Sequence, residues 1–305
     1  MEERVLSYNF RANIYFFIHL IEITRMKSYH VDDFIQAALI EDIREGDHTT
    51  LACIPEEASG SAVLLIKQAG ILAGIRMAER VFHLFDPTLA VKVMIPDGSH
   101  IQVGDQALRV TGSQRSILQT ERLVLNILQR MSGIATRTAE YVDQIKGTEA
   151  RILDTRKTTP NFRLFEKEAV RIGGGFNHRH GLYDMILIKD NHIDFAGGIP
   201  QAIERTTNYL KSKRLNLMIE VEARNLEEVG QILTTGQVHR ILLDNFTPEQ
   251  TRRAVEVIDG RVETESSGGI TLKNIRDYAL TGVNYISIGA LTHQVKSLDM
   301  SLKAE

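Results

Sequence analysis

The apolar positions of the chain change rhythm three times. In VDDFIQAALIEDIREGD, Val31, Phe34, Ile35, Ala38, Leu39 and Ile43 fall on one helical face, and Gly46 ends the run. From Ser61 to Gly112 the runs SAVLLIKQAGILAG, LAVKVMI and ALRVTG are short and β-rich. Glycines and the turn signals PDG and VGD divide them, and HIQVGDQALRV predicts a hairpin arm. These runs form a small α+β unit. Helical spacing returns in SQRSILQTERLVLNILQRMSGIATRTAEYVDQIKG, with Ser113 as a cap and Leu118, Leu125 and Leu128 on an apolar face. A break is expected at Ser132-Gly133.

After residue 150 strands and helices alternate. RILDTRK, MILIKD, NLMIEVE, RILLDN, VETESSGG and YISIGA read as strands. The helices between them are NFRLFEKEAVRI, IPQAIERTTNYLKSK, NLEEVGQILTTG, TPEQTRRAVEVIDG and TLKNIRDYALTG. Such βα units build a parallel sheet. Glu222, Asp244, Ser267 and Gly289 follow one another at 22, 23 and 22 residues. That near-constant period predicts an α/β barrel, incomplete because only about six strands are present. A doubly wound open sheet competes, but no Gly-x-Gly-x-x-Gly follows a strand.

Composition narrows the class. With 305 residues, 43% hydrophobic and 25% charged, the chain reads as a soluble globular protein with a sizeable core. A net charge of −3 gives no field to gather nucleic acid or an anionic membrane. Cys53 is the only cysteine, which excludes an intramolecular disulfide and a cysteine-rich zinc site, and a reducing cytoplasm is expected. IYFFIHLIEI (residues 14–23) is too short to span a membrane, is interrupted by His19 and Glu22, and lacks a cleavage pattern. It reads as a leader, with the ordinary domain starting near Met26. A membrane-surface helix is the alternative.

Polar residues gather where the barrel strands end: Asp154, Arg156, Lys157, Lys189, Asp190, Glu220, Glu222, Asp244, Ser266, Ser267 and Gly289. In a βα barrel these ends converge at one mouth. SSGGI is expected to lead straight into a helix, with SIGAL one unit later and His293 a turn beyond, as a cradle for phosphate. Read alone, Gly268 and Gly269 merely make a tight turn. Glu222 and Asp244 can face one Mg²⁺ or ribose hydroxyls, or can serve as plain salt-bridge partners. Arg156, His178, Arg179 and Lys189 form a cation cluster that repels itself unless an anion, such as a diacid, fills it. A solvated basic face fits Lys211, Lys213 and Arg214. It fits Lys189, directly after the apolar MILI, less well.

The motifs EDIREGDHTT, ERLVLNILQRMSGIAT, DTRKTTPNFR, GGGFNHR, LIKDNH, EVE, LLDNF, SSGGI and SIGALTH resemble the quinolinate phosphoribosyltransferase family, also called nicotinate-nucleotide pyrophosphorylase (carboxylating). The resemblance runs from about Met26 to the end of the chain. It implies an N-terminal α/β sandwich over residues 26–130, rejoined by the tail 291–305, and an open α/β barrel over 131–290. Residues 1–25 lie outside it. It implies transfer of phosphoribosyl from phosphoribosyl pyrophosphate to quinolinate with loss of CO2, with Mg²⁺, in NAD synthesis, by a homo-oligomer (dimer or hexamer). By resemblance, Arg156, His178, Arg179 and Lys189 take quinolinate, with Arg122 donated by a neighbouring subunit. Lys157 lies between quinolinate and pyrophosphate. Glu222 and Asp244 face the ribose and the metal, and Ser267, Gly268, Gly269, Gly289 and His293 take the 5′-phosphate. EDIREGDHTT is diagnostic of the resemblance, and no catalytic role is assigned to Asp42, Asp47 or Thr50. Three rivals remain: an aldolase with Lys189 as a Schiff-base amine, a non-catalytic binder of such ligands, and a related transferase for another acid.

Overall fold

The computed structural model of the chain describes residues 31–305, so the leader and the start near Met26 lie outside the described residues. Residues 31–43 form helix α1, which buries Val31, Ile35 and Leu39. Asp47 starts α2 (His48–Cys53) by accepting the Thr50 N–H at 3.0 Å, so EDIREGDHTT encodes a helix start. An antiparallel sheet follows, built from β1 (Ser59–Ile66), β3 (Ala90–Val93) and β5 (Gln106–Ser113). The last strand of the chain, β12 (Met300–Ala304), returns to it, giving the order β12-β1-β5-β3.

Two local expectations fail here. The hairpin in HIQVGDQALRV does not form. Its first arm, β4 (His100–Ile101), pairs with β2 (Gly70–Ile71), while β5 is claimed on both sides by β1 and β3. The β-rich texture also hid α3 (Ile75–Phe85). Its Ile75, Ala78, Val81 and Phe82 are buried at helical spacing, and its first N–H is held by Asp97 at 2.9 Å.

Helix α4 (Gln114–Gln144) runs unbroken for 31 residues. Ser113 caps it, accepting the Ser116 N–H at 3.3 Å. Leu125 and Leu128 are buried, but Leu118 is 41% exposed; the buried face instead runs through Ile117, Val124 and Met131. The expected break at Ser132-Gly133 is absent, because this pair admits neighbouring backbone. Ser132 Oγ accepts the Ala73 N–H (2.9 Å) and donates to the Ala73 carbonyl (3.2 Å). A Cβ on Gly133 would lie 2.3 Å from the Lys296 carbonyl oxygen. The helix propensity lost by glycine, about 1 kcal/mol, is offset by that close approach.

The second half follows the βα rhythm: β6 (Arg151–Leu153), α5 (Arg163–Ile172), β7 (Ile186–Ile188), α6 (Asp190–Ala196), α7 (Ile199–Lys213), β8 (Ile219–Ala223) and α8 (Leu226–Thr235). It continues with β9 (Arg240–Asp244), α9 (Pro248–Ile258), β10 (Glu263–Ser267), α10 (Ile275–Ala279), β11 (Tyr285–Ser287) and α11 (Ala290–His293). Six parallel strands lie in the order β6-β11-β10-β9-β8-β7. Strands β7 to β11 are neighbours in chain order, β6 joins beside β11, and the ring stays open between β6 and β7. This is an open α/β barrel, not a doubly wound sheet. Phe176 sits at the outer edge of β6, donating its N–H to Ile152 O at 2.8 Å.

Alternation within the strands sorts the chemistry. Ile219, Val221, Ala223, Ile241 and Leu243 join a core with α7, α8 and α9. The intervening Glu220, Glu222, Arg240 and Asp244 turn the other way, onto the barrel axis. Helix α4 packs against α3 on one side and α5 on the other, and one core runs continuously from Phe82 through Leu128 to Phe165 and Ile286.

Candidate active site

Parallel register lines up the rim. Ile188 pairs with Val221, Glu222 with Leu242, and Asp244 with Ser267. Lys189, Glu222, Asp244 and Ser267 therefore end neighbouring strands at one mouth. Lys189 Nζ lies 3.6 Å from Glu222 Oε2, with the lysine side chain 50% exposed. The apolar MILI run thus does not bury Lys189, because the strand ends one residue before it and lifts it to the rim. Burial raises the Glu222 pKa; Lys189 lowers it, while Asp244 and Asp190 raise it further. The acids outnumber the cation beside them. Asp244 Oδ2 accepts from Asn245 Nδ2 at 2.7 Å.

On the basic side a buried clamp shapes the loop GGGFNHRHG. Asp154 Oδ1 accepts from Lys167 Nζ (2.5 Å) and from the His178 N–H (2.8 Å), and Lys167 Nζ also reaches the His178 carbonyl (3.0 Å). With its amide turned to satisfy its neighbours, Asn177 donates to Asp154 Oδ2 (2.8 Å) and to the Lys167 carbonyl (2.9 Å). This fixes the backbone from which Arg179 projects. Burial lowers the Arg179 pKa, and the nearby Arg156 lowers it again, so the two guanidinium groups face one region. Arg156 is exposed and makes no side-chain ion pair among the described residues. Arg163 ties the loops together, donating to Thr158 Oγ1 and to the His180 carbonyl, both at 2.9 Å.

His178 is placed differently from the other cations. Its Nε2 lies 2.9 Å from Glu220 Oε2 and 3.5 Å from Glu265 Oε2, and its Nδ1 accepts the Arg179 N–H at 2.7 Å. Burial opposes charging the ring, yet the two carboxylates draw its pKa up to about 9. The Arg179 N–H pulls the other way, because a second ring proton on Nδ1 would face it. In the singly protonated ring the proton therefore sits on Nε2, toward the carboxylates. The His178, Glu220 and Glu265 ligand atoms converge within 4.8 Å, but both ring nitrogens are already engaged by the protein, so this trio offers a metal no imidazole lone pair.

Beside β6, the ends of β10 and β11 form a glycine-lined wall. A Cβ on Gly289 would meet Lys157 Cδ and His293 Nε2, each at 3.1 Å, so Lys157 and His293 lie over Gly289. Gly268 and Gly269 have φ of +94° and +62°, and a Cβ on Gly268 would collide with Asn245 Oδ1 at 2.1 Å. SSGGI does not lead straight into a helix. An Asn274 turn intervenes, accepting the Thr271 N–H at 2.7 Å, and α10 is only five residues long. An anion at Gly268 and Gly269 would therefore meet loop amides rather than the start of α10, whereas Gly289 sits at the start of the short α11.

The fold brings together Arg156, Lys157, His178, Arg179, Lys189, Glu222, Asp244, Ser267, Gly268, Gly269, Gly289 and His293 on the loops and strand ends of one barrel mouth. Arg122 is apart from them: it is exposed on α4 and makes no hydrogen bond or ion pair among the described residues. Sequence reasoning passed over Lys167 and Arg130, which read as ordinary helix charges, and Glu265 and Arg240, which are buried and ion-paired at 3.0 Å. Their one visible signal is a charge spaced as part of an apolar face.

Comparison with known proteins covers most of the chain. Two family models match, described as the N-terminal domain (residues 47–132) and the C-terminal domain (residues 134–303) of quinolinate phosphoribosyl transferase. A quinolinate phosphoribosyltransferase [decarboxylating] 2, mitochondrial, of Nicotiana glauca is 44% identical over 293 residues, 91% of this chain and 83% of that protein. A probable nicotinate-nucleotide pyrophosphorylase [carboxylating] of Bacillus subtilis is 40% identical over 263 residues, covering 86% and 89%. The crystal structure of NadC from Streptococcus pyogenes superposes with a TM-score of 0.85 at 41% identity, over 91% of this chain and 98% of that one.

Proposed function

The chain belongs to the quinolinate phosphoribosyltransferase family, and we propose that its barrel mouth holds quinolinate on the basic half and phosphoribosyl pyrophosphate on the acidic, glycine-lined half. The reaction is the decarboxylating transfer of NAD biosynthesis: quinolinate and phosphoribosyl pyrophosphate give nicotinate mononucleotide, pyrophosphate and CO2. The observation that carries the assignment of the halves is the contact of Lys189 with Glu222, where the two meet.

Arg156, Arg179 and Lys189 match the two carboxylates of quinolinate, with His178 beneath them. Arg122 completes this half from a second copy in a homo-oligomer. Holding acid and sugar together supplies much of the rate, because the pair then reacts as one molecule. The ring nitrogen donates its lone pair to ribose C1 as the C1–O bond breaks and pyrophosphate leaves with that electron pair. Lys157 stabilises the departing charge, Glu222 and Asp244 the cationic sugar. The new pyridinium then accepts the electrons of the adjacent C–C bond as CO2 departs, and a proton fills the ring carbon. Ser267, Gly268, Gly269, Gly289 and His293 hold the 5′-phosphate.

Mg²⁺ is the proposed cofactor. Glu222 and Asp244 offer two hard oxygen donors with more negative charge than Lys189 neutralises, which fits an ion that keeps water and substrate phosphate among its ligands. When bound it supplies neutralising charge for the pyrophosphate oxygens. The compartment proposed is the cytoplasm, where the exposed Cys53 stays reduced. Among the described residues no helix is long and apolar enough to cross a membrane. The aldolase reading loses ground: Lys189 is half exposed and ion-paired with Glu222 at 3.6 Å, not set in the apolar pocket that activates a Schiff-base lysine.

The deciding assay offers quinolinate or nicotinate with phosphoribosyl pyrophosphate and Mg²⁺. Product from quinolinate is expected; product from nicotinate alone overturns the substrate. CO2 released without the sugar donor overturns the order of steps.

A further inference from the structure

Arg130 is absent from every set of residues assigned to substrates above, yet three separate segments of the mouth meet at its guanidinium. It projects from α4. Its Nη2 lies 2.8 Å from Glu166 Oε1 on α5, 2.6 Å from the Thr292 carbonyl on α11, and 3.4 Å from Thr159 Oγ1 in the loop after β6. Its Nε also donates to Glu166 Oε1 at 3.1 Å.

The partners continue the chain of contacts to the sugar side. Glu166 is fully buried and accepts the Thr159 N–H (3.1 Å) and the Thr159 hydroxyl (2.9 Å), which fixes the loop two residues beyond Lys157. Thr292 is also fully buried, and its hydroxyl donates to the Lys157 carbonyl at 2.7 Å. Thr292 sits directly before His293, and Lys157 and His293 lie over Gly289. One guanidinium thus fastens the loop carrying Lys157 to the turn carrying His293, and fastens both to the longest helix. A lysine offers one point of charge and cannot fork to a carboxylate and a carbonyl with fixed geometry.

We propose that Arg130 is a positioning residue for the phosphoribosyl pyrophosphate half of the site, holding Lys157 and His293 at a fixed separation without touching substrate. The proposal rests on reading Lys157 and His293 as contacts of the sugar donor. A purely structural role is the competitor, because removing Arg130 leaves Glu166 buried with less compensation. The two roles separate with a pair of variants. Arg130→Met alone removes the fork and strands the carboxylate. Arg130→Met with Glu166→Gln relieves the stranded charge, and the fork to Thr292 stays absent.

The experiment uses the full chain and reads four quantities: thermal unfolding, KM for phosphoribosyl pyrophosphate, direct binding of quinolinate alone, and amide exchange over residues 156–159 and 290–293. In the double variant thermal stability is expected to recover toward the parent. KM for the sugar donor is expected to stay raised about tenfold, the loss of one charge-assisted hydrogen bond. Quinolinate binding is expected to stay within about twofold, and exchange to rise in both segments. Arg130→Lys is expected to rescue stability better than KM. If the double variant regains the parental KM together with its stability, or if both substrates lose affinity equally, the proposal is overturned. Lys157→Met is the control on the underlying reading. Should it leave the sugar KM unchanged, that reading fails, and the exchange of the two segments still decides the clamp: faster exchange supports it and unchanged exchange overturns it.

Discussion

Lys167 Nζ and Asp154 Oδ1 lie 2.5 Å apart with almost no exposure to solvent, and the same carboxylate oxygen takes the backbone N–H of His178. A buried ion pair is costly to assemble and costlier to break. Lys167→Met is therefore expected to lose about 3–5 kcal/mol of stability at neutral pH, since Asp154 is left buried without its cation and must either hold an unpaired charge or take up a proton. Lys167→Met with Asp154→Leu is expected to regain most of that loss in denaturant unfolding while quinolinate KM stays high, because nothing then anchors the His178 N–H.

Burial raises the Asp154 pKa to about 6, against the pull of Lys167. In the unfolded chain the value is about 3.9. Between the two the folded chain holds more protons, so this carboxyl favours folding more as pH falls from about 6 to about 4 and least above 6. Ligand binding runs the other way. Protonation weakens the anion that holds Lys167 and His178, and quinolinate KM is expected to climb as pH drops through about 6. Asp154→Asn is expected to start high and stay flat across the same profile.

Gly133 and Gly230 both sit inside helices, and they should respond oppositely to alanine. At Gly133 the added Cβ meets the Lys296 carbonyl at 2.3 Å, backbone that cannot step aside without displacing the return to β12. A loss of about 1–3 kcal/mol is expected. At Gly230 nothing lies within 4 Å, and a gain of about 0.5–1 kcal/mol is expected. Thermal unfolding of the two variants makes the comparison.

Arg156→Ala and Arg179→Ala are expected to raise quinolinate KM at least about tenfold, with a much smaller effect on the sugar donor, because on the reading proposed above each would remove a bidentate partner of a carboxylate. Equal losses for both substrates would count against the assignment. For Arg122 the measurement is complementation. Arg122→Ala and Arg156→Ala are each expected to be weak alone, and co-assembly of the two chains is expected to restore activity through sites built from the intact halves.

Chelation is expected to abolish turnover, with Mg²⁺ restoring it. Glu222→Gln and Asp244→Asn are expected to shift the Mg²⁺ needed for half-maximal rate upward by about tenfold or more. Unchanged metal titrations in both variants would remove these residues from the metal site.

The barrel was legible because most strands announced themselves twice, by an apolar run and by the polar residue or glycine that ended it. Glu222, Asp244, Ser267 and Gly289 kept step along the chain for that reason. The sandwich was less legible. The two residues of His100–Ile101 pair with a segment thirty positions earlier, and no local pattern records such a partner. Gly133 misled for a related cause: a glycine placed for a distant carbonyl looks, in sequence, like a glycine that stops a helix. The second layer of the mouth was invisible on the same grounds. Lys167 and Arg130 occupy helices whose own spacing explains them, and only the packing shows that Asp154 and Glu166 are what they serve.

Because α4 is unbroken, it is also a lever. Arg122 and Arg130 are eight residues apart on it, about 12 Å along the axis. In the homo-oligomer proposed above, Arg122 would be offered to a second copy's pocket, while Arg130 is tied to Glu166 and Thr292 beneath its own. In that proposed assembly, rocking of this rod as one pocket fills would be felt in the next, and the expected outcome is a saturation curve that bends away from a simple hyperbola.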